Sequence, residues 1–343
     1  MSKFTDPSQI KTAVVGYGGT FNMGRKHLEQ MKLAGMTPYA VAEINPSRME
    51  AAKVDFPGIQ TYSSLAKMLK KSDVDLVTII TPHNTHARLA LHALRAGRHV
   101  ICEKPLAITT AECDAIIAAA EKAGVVLSTY HNRHWDGCIL EALKHIRAGE
   151  IGEVFRIEAH RAAYGKPKDW WRSSKSISGG VLYDWGVHML EYCLQIIDSR
   201  IVEVSGFAKG GFWGPQTPWN DDCNEDEAFL TVRFANGTWL TLCISSLDSN
   251  PKRGMLEITG TRGSYILNTK DYEIINVVSG KPNVIKGENP KSEGQRFYQN
   301  IADHLTGGHE LIITPQWARR PIHILDLGCR SAVKGKAIKA RYE

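Results

Sequence analysis

The strongest constraint on the fold is a rhythm in the first third of the chain, where short apolar runs alternate with helix-forming segments. Residues 11–15 form an apolar run that ends in Gly16-Tyr17-Gly18-Gly19, and residues 24–34 carry Leu28, Met31 and Leu33 on or near one helical side. Residues 38–43 read as a second strand, and Pro46 opens the next helix where its missing N–H costs little. Ser63 or Ser64 caps a helical run at 65–69. Residues 75–81 form a buried strand stopped by Pro82, residues 85–96 a helix closed by Gly97, and residues 99–102 another strand. An Ala-rich helix at 109–123 ends at Gly124 and feeds a strand at 125–129. Such alternation predicts a doubly wound parallel sheet.

The rhythm changes after residue 130. A helix at 137–148 is followed by strand-like runs at 154–160, 202–207, 228–234, 238–245, 255–259 and 264–268, with fewer helices between them. Asn236-Gly237 lies between two of these runs and predicts a two-residue hairpin turn. Residues 209–227, rich in Gly, Pro, Trp and acids, read as a long surface loop. The expected architecture is an α/β Rossmann domain over 8–130, followed by an α+β domain over 131–343 with a large, mostly antiparallel open sheet. The C-terminal helix is expected to pack back towards the first domain.

Composition narrows the function classes. A chain of 343 residues with 43% hydrophobic and 23% charged residues is a globular protein of two domains, not a disordered one. Its net charge of +6 favours an anionic cofactor, yet no Lys/Arg block marks a nucleic-acid partner. Arg330, Lys334, Lys336, Lys339 and Arg341 suit the solvated face of a terminal helix. Seven scattered cysteines include no C-x-x-C pair, which argues against a disulfide framework or a thiolate zinc site. Residues 1–11 are polar, and no apolar run approaches the roughly 20 residues that span a bilayer. Asn236-Gly237-Thr238 is better read as a turn than as a glycosylation acceptor. The expectation is a reduced cytoplasmic protein, without membrane or nucleic-acid partners, that forms a homodimer or homotetramer.

Glycines directly after the first strand let the backbone turn tightly and approach a pyrophosphate, which then sits at the next helix N-terminus. Gly16, Gly18 and Gly19 fit that role, although the helix-opening Gly24 comes three residues later than the standard spacing. Glu43 ends the second strand 19 residues after Gly24, where a carboxylate accepts bonds from adenosine ribose hydroxyls and repels the 2′-phosphate of NADP. NAD is therefore expected over NADP, with Arg48 as the one nearby feature favouring the phosphate.

Three further patterns bring a family into view. Thr81-Pro82-His83-Asn84-Thr85-His86 is followed by a strand ending in Glu103-Lys104-Pro105, and later by Ser178-Gly179-Gly180 and Asp184-Trp185-Gly186-Val187-His188. Together they resemble the Gfo/Idh/MocA family, which includes glucose–fructose oxidoreductase and inositol dehydrogenase. The resemblance extends to Ser331-Ala332 and Gly335-Lys336 near the chain's end, and the three-residue insertion in the glycine loop is its clear departure. It implies that Thr81, Asn84, His86 and Glu103 line the nicotinamide end of the cofactor. It also implies that Arg133, Trp171 and Arg172 face substrate, although Trp170 and Trp171 suit simple packing equally well.

The residues themselves point to hydride chemistry. Oxidising an alcohol needs a base for the hydroxyl proton, and His188 titrates in the physiological range. Asp184 lies four residues before it, so a helix places both on one face, where Asp184 orients the ring or holds substrate. Lys104 falls at the carboxyl edge of the parallel sheet, where its cation stabilises developing alkoxide charge or shares the proton relay. Pro105 fixes the turn that aims it, with a cis bond as one option. The histidine pairs His83/His86 and His131/His134 lack the carboxylate that would complete a metal set, so no metal is expected. The expected activity is NAD-dependent hydride transfer at a hydroxyl or carbonyl carbon of a sugar, cyclitol or glycoside. A glycosidase using tightly bound NAD for transient oxidation needs the same residues. A non-catalytic NAD sensor would not need Lys104, Asp184 and His188.

Overall fold

The computed structural model describes residues 4–19 and 21–341, which divide into two compact units. One comprises the chain up to Asn132 together with Gln295–Arg320, and the other comprises Arg133–Gly294 with the chain from Pro321 onward. The expected second domain, 131–343, is thus interrupted.

In the first unit, β1 (Lys11–Val15), α1 (Met23–Leu33), β2 (Thr37–Ala42), α2 (Pro46–Asp55), β3 (Gln60–Tyr62), α3 (Leu65–Lys71), β4 (Leu76–Ile79), α4 (His86–Arg95), β5 (His99–Cys102), α5 (Thr110–Ala123) and β6 (Leu127–Thr129) alternate as anticipated. The strands form one parallel sheet in the order β3-β2-β1-β4-β5-β6. Ala13, Val14, Leu76, Val77 and Ile79 in its centre are fully buried. Local chemistry sets the helix starts. Asn45 and Ser64 cap α2 and α3, and Thr109 forms a reciprocal capping box with Glu112 at α5. The strand order reverses at β1 and β4, and such a sheet binds ligands at the carboxyl ends of those strands.

The second unit begins with α6 (Gly137–Arg147), β7 (Val154–Ala162), α7 (Lys175–Ser178), α8 (Leu182–Ile196) and β8 (Ile201–Lys209). It continues through β9 (Glu227–Phe234), β10 (Trp239–Ser245), β11 (Leu256–Gly260), β12 (Gly263–Leu267), β13 (Asp271–Val278) and β14 (Lys281–Glu288). The chain then forms α9 (Arg296–Gly307), α10 (Pro315–Lys334) and β15 (Ile338–Lys339). Nine strands make one sheet in the order β14-β13-β12-β11-β7-β10-β9-β8-β15. Its pairs are antiparallel except β7 with β10. Alternate residues of β9 and β10, such as Leu230, Val232, Leu240 and Leu242, form the buried face.

Helix α9 belongs to the first unit because its apolar face has partners there. Phe297, Tyr298, Ile301 and Ala302 are buried, and the Tyr298 hydroxyl meets His27 Nδ1 at 2.7 Å and Thr78 Oγ1 at 3.2 Å. The Asn236-Gly237 hairpin also differs from expectation. Only Gly237 takes positive φ, and its N–H donates to the Phe234 carbonyl, so the turn spans three residues with the glycine as a bulge. The two-residue turn with positive φ at both positions is Ser279-Gly280, which joins β13 to β14. The segment 209–227 is not wholly surface: Trp213 is buried, and its N–H and that of Phe212 donate to Asp226. No helix among the described residues is long and apolar enough to cross a membrane.

The second unit has one very close backbone approach. A Cβ placed on Gly206 of β8 would lie 2.0 Å from the Gly328 carbonyl oxygen of α10. Backbone cannot yield as a flexible side chain can, so Gly206→Ala should destabilise this unit by about 1–3 kcal/mol. Gly165→Ala, where nothing lies within 4 Å, should change stability by no more than about 0.5 kcal/mol. Urea denaturation of both variants checks the contrast.

Candidate dinucleotide and substrate sites

The glycine turn is built for close approach. Gly16, Gly18 and Gly19 all have positive φ, and a Cβ on Gly16 would lie 2.2 Å from the Ile80 carbonyl oxygen. Gly24 is buried in the first turn of α1, where a Cβ would come within 2.6 Å of the Gly16 carbonyl oxygen. It is therefore the glycine that lets α1 pack against the turn, despite the three-residue insertion. The insertion supplies Asn22, which adopts a left-handed conformation and caps α1. Its side-chain oxygen accepts from Arg25 N at 3.4 Å and from Gly18 N at 3.1 Å. The sequence reading missed Asn22 because an αL asparagine has no spacing signature.

Glu43 is buried at the end of β2, with Oε2 accepting from Tyr17 N at 2.7 Å and Oε1 from Asn45 N at 2.9 Å. It ties the second strand to the glycine turn, and each oxygen retains a second lone pair for another donor. The aliphatic part of the Arg48 side chain lies beside Gly18, so a cation borders the same turn. Helix N-terminus, glycine cradle and terminal carboxylate fit a dinucleotide.

Past β4, His83–Thr85 form a single 3₁₀ turn before α4. The Thr81 hydroxyl lies 2.6 Å from that of Thr85, which donates to the Pro82 carbonyl at 2.7 Å. Asn84 is exposed. His86 is completely buried instead of lining an open surface. Its Nδ1 lies 2.7 Å from the Pro105 carbonyl oxygen and its Nε2 lies 2.8 Å from that of Thr81. Burial pushes the imidazole down, against the pull of the two carbonyls. His86 thus lies between the segments after β4 and after β5, donating to one of the two carbonyls when neutral and to both when protonated.

Glu103 also turns inward. Its Oε1 lies 3.0 Å from His27 Nε2, and its Oε2 accepts from Lys104 N at 3.0 Å. Burial opposes its ionisation, but the hydrogen bond and charge of His27, with Lys104 and its N–H, outweigh that and hold the carboxyl below its usual range. A buried chain of contacts therefore runs from Tyr298 through His27 and Glu103 to the backbone of Lys104. Lys104 is itself buried, and its bond to Pro105 is cis.

In the second unit, Gly179 and Gly180 take positive φ just before α8. Glu225 accepts from Val181 N at 3.0 Å and pairs with Lys175 at 2.7 Å, so a carboxylate sits at that helix start. Asp184 and His188 lie one turn apart on α8, His188 buried and Asp184 half-buried. Asp184 is bonded to Arg172, whose guanidinium lies 5.2 Å and 5.1 Å from the rings of Trp170 and Trp171. Arg172, expected at substrate, is thus also the counter-ion of Asp184. Arg133, likewise expected at substrate, pairs with Asp136 at 2.8 Å and lies 4.9 Å from the Trp185 ring. Asp184, Trp185 and Arg172 line a cavity of about 800 Å³ on this unit, together with Arg161, Lys168 and Trp170. Trp171 is half-buried and does not line it. Arg161 and Trp185 were not singled out from the sequence, where a lone Arg on a strand carries no motif.

Comparison with known proteins agrees with this architecture. A family model described as "Oxidoreductase family, NAD-binding Rossmann fold" matches residues 10–131, and the GFO/IDH/MocA C-terminal domain matches residues 139–266. A scyllo-inositol 2-dehydrogenase (NADP(+)) of Bacillus subtilis (strain 168) is 30% identical over 54% of this chain and 51% of its own. A levoglucosan dehydrogenase of Pseudarthrobacter phenanthrenivorans is 29% identical over 66% of this chain and 64% of its own. The chain spans about half the length of the first curated relatives it matches. The crystal structure of an NAD-binding protein from Listeria innocua, 27% identical, superposes with a TM-score of 0.80 over 96% of this chain and 97% of that one. With both halves of one family matched in order along it, the chain belongs to the GFO/IDH/MocA oxidoreductase family.

Proposed function

We propose that this chain is an NAD-dependent oxidoreductase acting on a hydroxyl or carbonyl carbon of a sugar, cyclitol or glycoside. The observation that carries this reading is the placement of Lys104. It follows β5 at the carboxyl edge of the parallel sheet, with Glu103 braced on His27 behind it and His86 holding the Pro105 carbonyl beyond it. These bonds fix the backbone on either side of a buried lysine, and a cation held in place does most where negative charge develops during reaction. The inositol and levoglucosan named for two relatives support a polyol substrate.

Gly16, Gly18, Gly19 and Gly24 would hold the pyrophosphate through backbone N–H groups, Glu43 the adenosine ribose, and Thr81 and Asn84 the nicotinamide end. Bound NAD supplies the hydride acceptor. His188 takes the hydroxyl proton as the carbonyl forms, and Lys104 stabilises the developing alkoxide. Asp184, held by Arg172, fixes polar groups of the substrate. Glu103 and His86 position Lys104 and do not touch substrate.

Incubation with NAD and a panel of polyols and glycosides, following NADH absorbance and free sugar together, tests the reading. Accumulating NADH supports it. Sugar release without net NADH would point to the transient-oxidation glycosidase, and no turnover on any member contradicts both. Lys104→Met should lower kcat by about 10²–10³ while leaving NAD binding near the parent value. Activity within about threefold of the parent would remove Lys104 from the mechanism.

The pH profile isolates His188. Oxidation needs an unprotonated base, so kcat should be low in acid and rise to a plateau as the imidazole loses its proton. In His188→Ala, kcat should fall and that rising limb should flatten. An unchanged limb in the variant would assign the proton to another group.

A further inference from the structure

The cavity on the second unit is richer in unneutralised positive charge than a neutral sugar requires. Its two lining acids are both engaged, Asp184 by Arg172 and Glu225 by Lys175. Three lining cations have acids of their own, Lys166 with Asp169, Lys252 with Glu158 and Arg253 with Glu273. Arg161 is different. Its guanidinium lies 3.5 Å from the centre of the Trp185 ring, and among the described residues no carboxylate comes within ion-pair distance of it. Asp184 and Arg133 are the charged side chains near enough to act on it, and both are paired elsewhere. Lys168, 5.9 Å from the Trp170 ring, likewise has no acidic partner among the described residues.

A guanidinium held against an indole is oriented by its ring contact, while its in-plane N–H fork remains available to a carboxylate or phosphate. The same contact covers an indole face that would otherwise stack on sugar C–H groups. Unpaired cations inside a concave surface also concentrate potential that attracts anions. We propose that the substrate accepted by this cavity is a polyol bearing an oxyanion, a carboxylate or a phosphate ester, and that Arg161 holds that group. This deepens the dehydrogenase reading and rests on it for the polyol part.

The test is equilibrium binding to the full chain with NAD present, read by tryptophan fluorescence or calorimetry, so its outcome does not depend on turnover. The probes are D-glucuronate, glucose 6-phosphate, D-glucose and inorganic phosphate. At least one sugar anion should bind about tenfold or more tightly than D-glucose, and which one does distinguishes carboxylate from phosphate ester. Arg161→Gln, at an exposed position, should bring that ratio to within about twofold. Equal binding of the anionic and neutral sugars by the parent would overturn the inference, as would a preference that survives Arg161→Gln. Inorganic phosphate binding as tightly as either sugar anion would also overturn it. Binding without NADH formation on any polyol would instead count against the dehydrogenase reading.

Discussion

The first unit depends on one carboxylate. Glu43 closes the end of β2 onto the glycine turn by accepting the N–H groups of Tyr17 and Asn45. Hydrogen bonds to a charged acceptor contribute about 1.5–3 kcal/mol each, enough to hold a turn of glycines that has little preference of its own. The turn in turn fixes the start of α1, because Gly24 fits only if its backbone stays against Gly16. Helix α1 then carries His27, which reaches Glu103 and so braces the segment bearing Lys104. Hydrogen bonds and the close packing of Gly24 therefore connect the cofactor cradle to the backbone that carries Lys104.

Much of this was legible in the sequence because it follows from periodicity and caps. The alternation of β1 to β6 with its helices, the cap at Ser64, and the consecutive strands after residue 137 all leave local traces. What was not legible is tertiary. Nothing local tells that α9 returns to the first unit, because its reason is a tyrosine hydroxyl meeting His27 and Thr78 more than 200 residues away in sequence. Strands β13 and β14 escaped because their outward positions carry Val277, Val278, Val284 and Ile285, which blurs the apolar–polar alternation.

The candidate site divides the same way. Motif and spacing drew attention to Glu103, His86, Arg133 and Arg172, and in the structure each also has a partner within the protein: Glu103 meets His27, His86 the carbonyls of Thr81 and Pro105, Arg133 Asp136, and Arg172 Asp184. A motif marks that a residue type is needed, without separating direct contact from bracing. Arg161 shows the converse. Its standing comes from a neighbour on α8 and from acids that are already paired, and neither is visible along the strand that carries it.

Cofactor affinity reads the Glu43-braced cradle without assuming a substrate. Arg48 beside Gly18 and the NADP(+) named for one relative make the outcome a real contest. Fluorescence titration of the parent and of Glu43→Gln with NADH and NADPH is the measurement. The parent should bind NADH about tenfold or more tightly than NADPH, and Glu43→Gln should narrow the gap as the carboxylate charge is removed. Equal or tighter binding of NADPH by the parent, or no binding of either, would contradict this expectation.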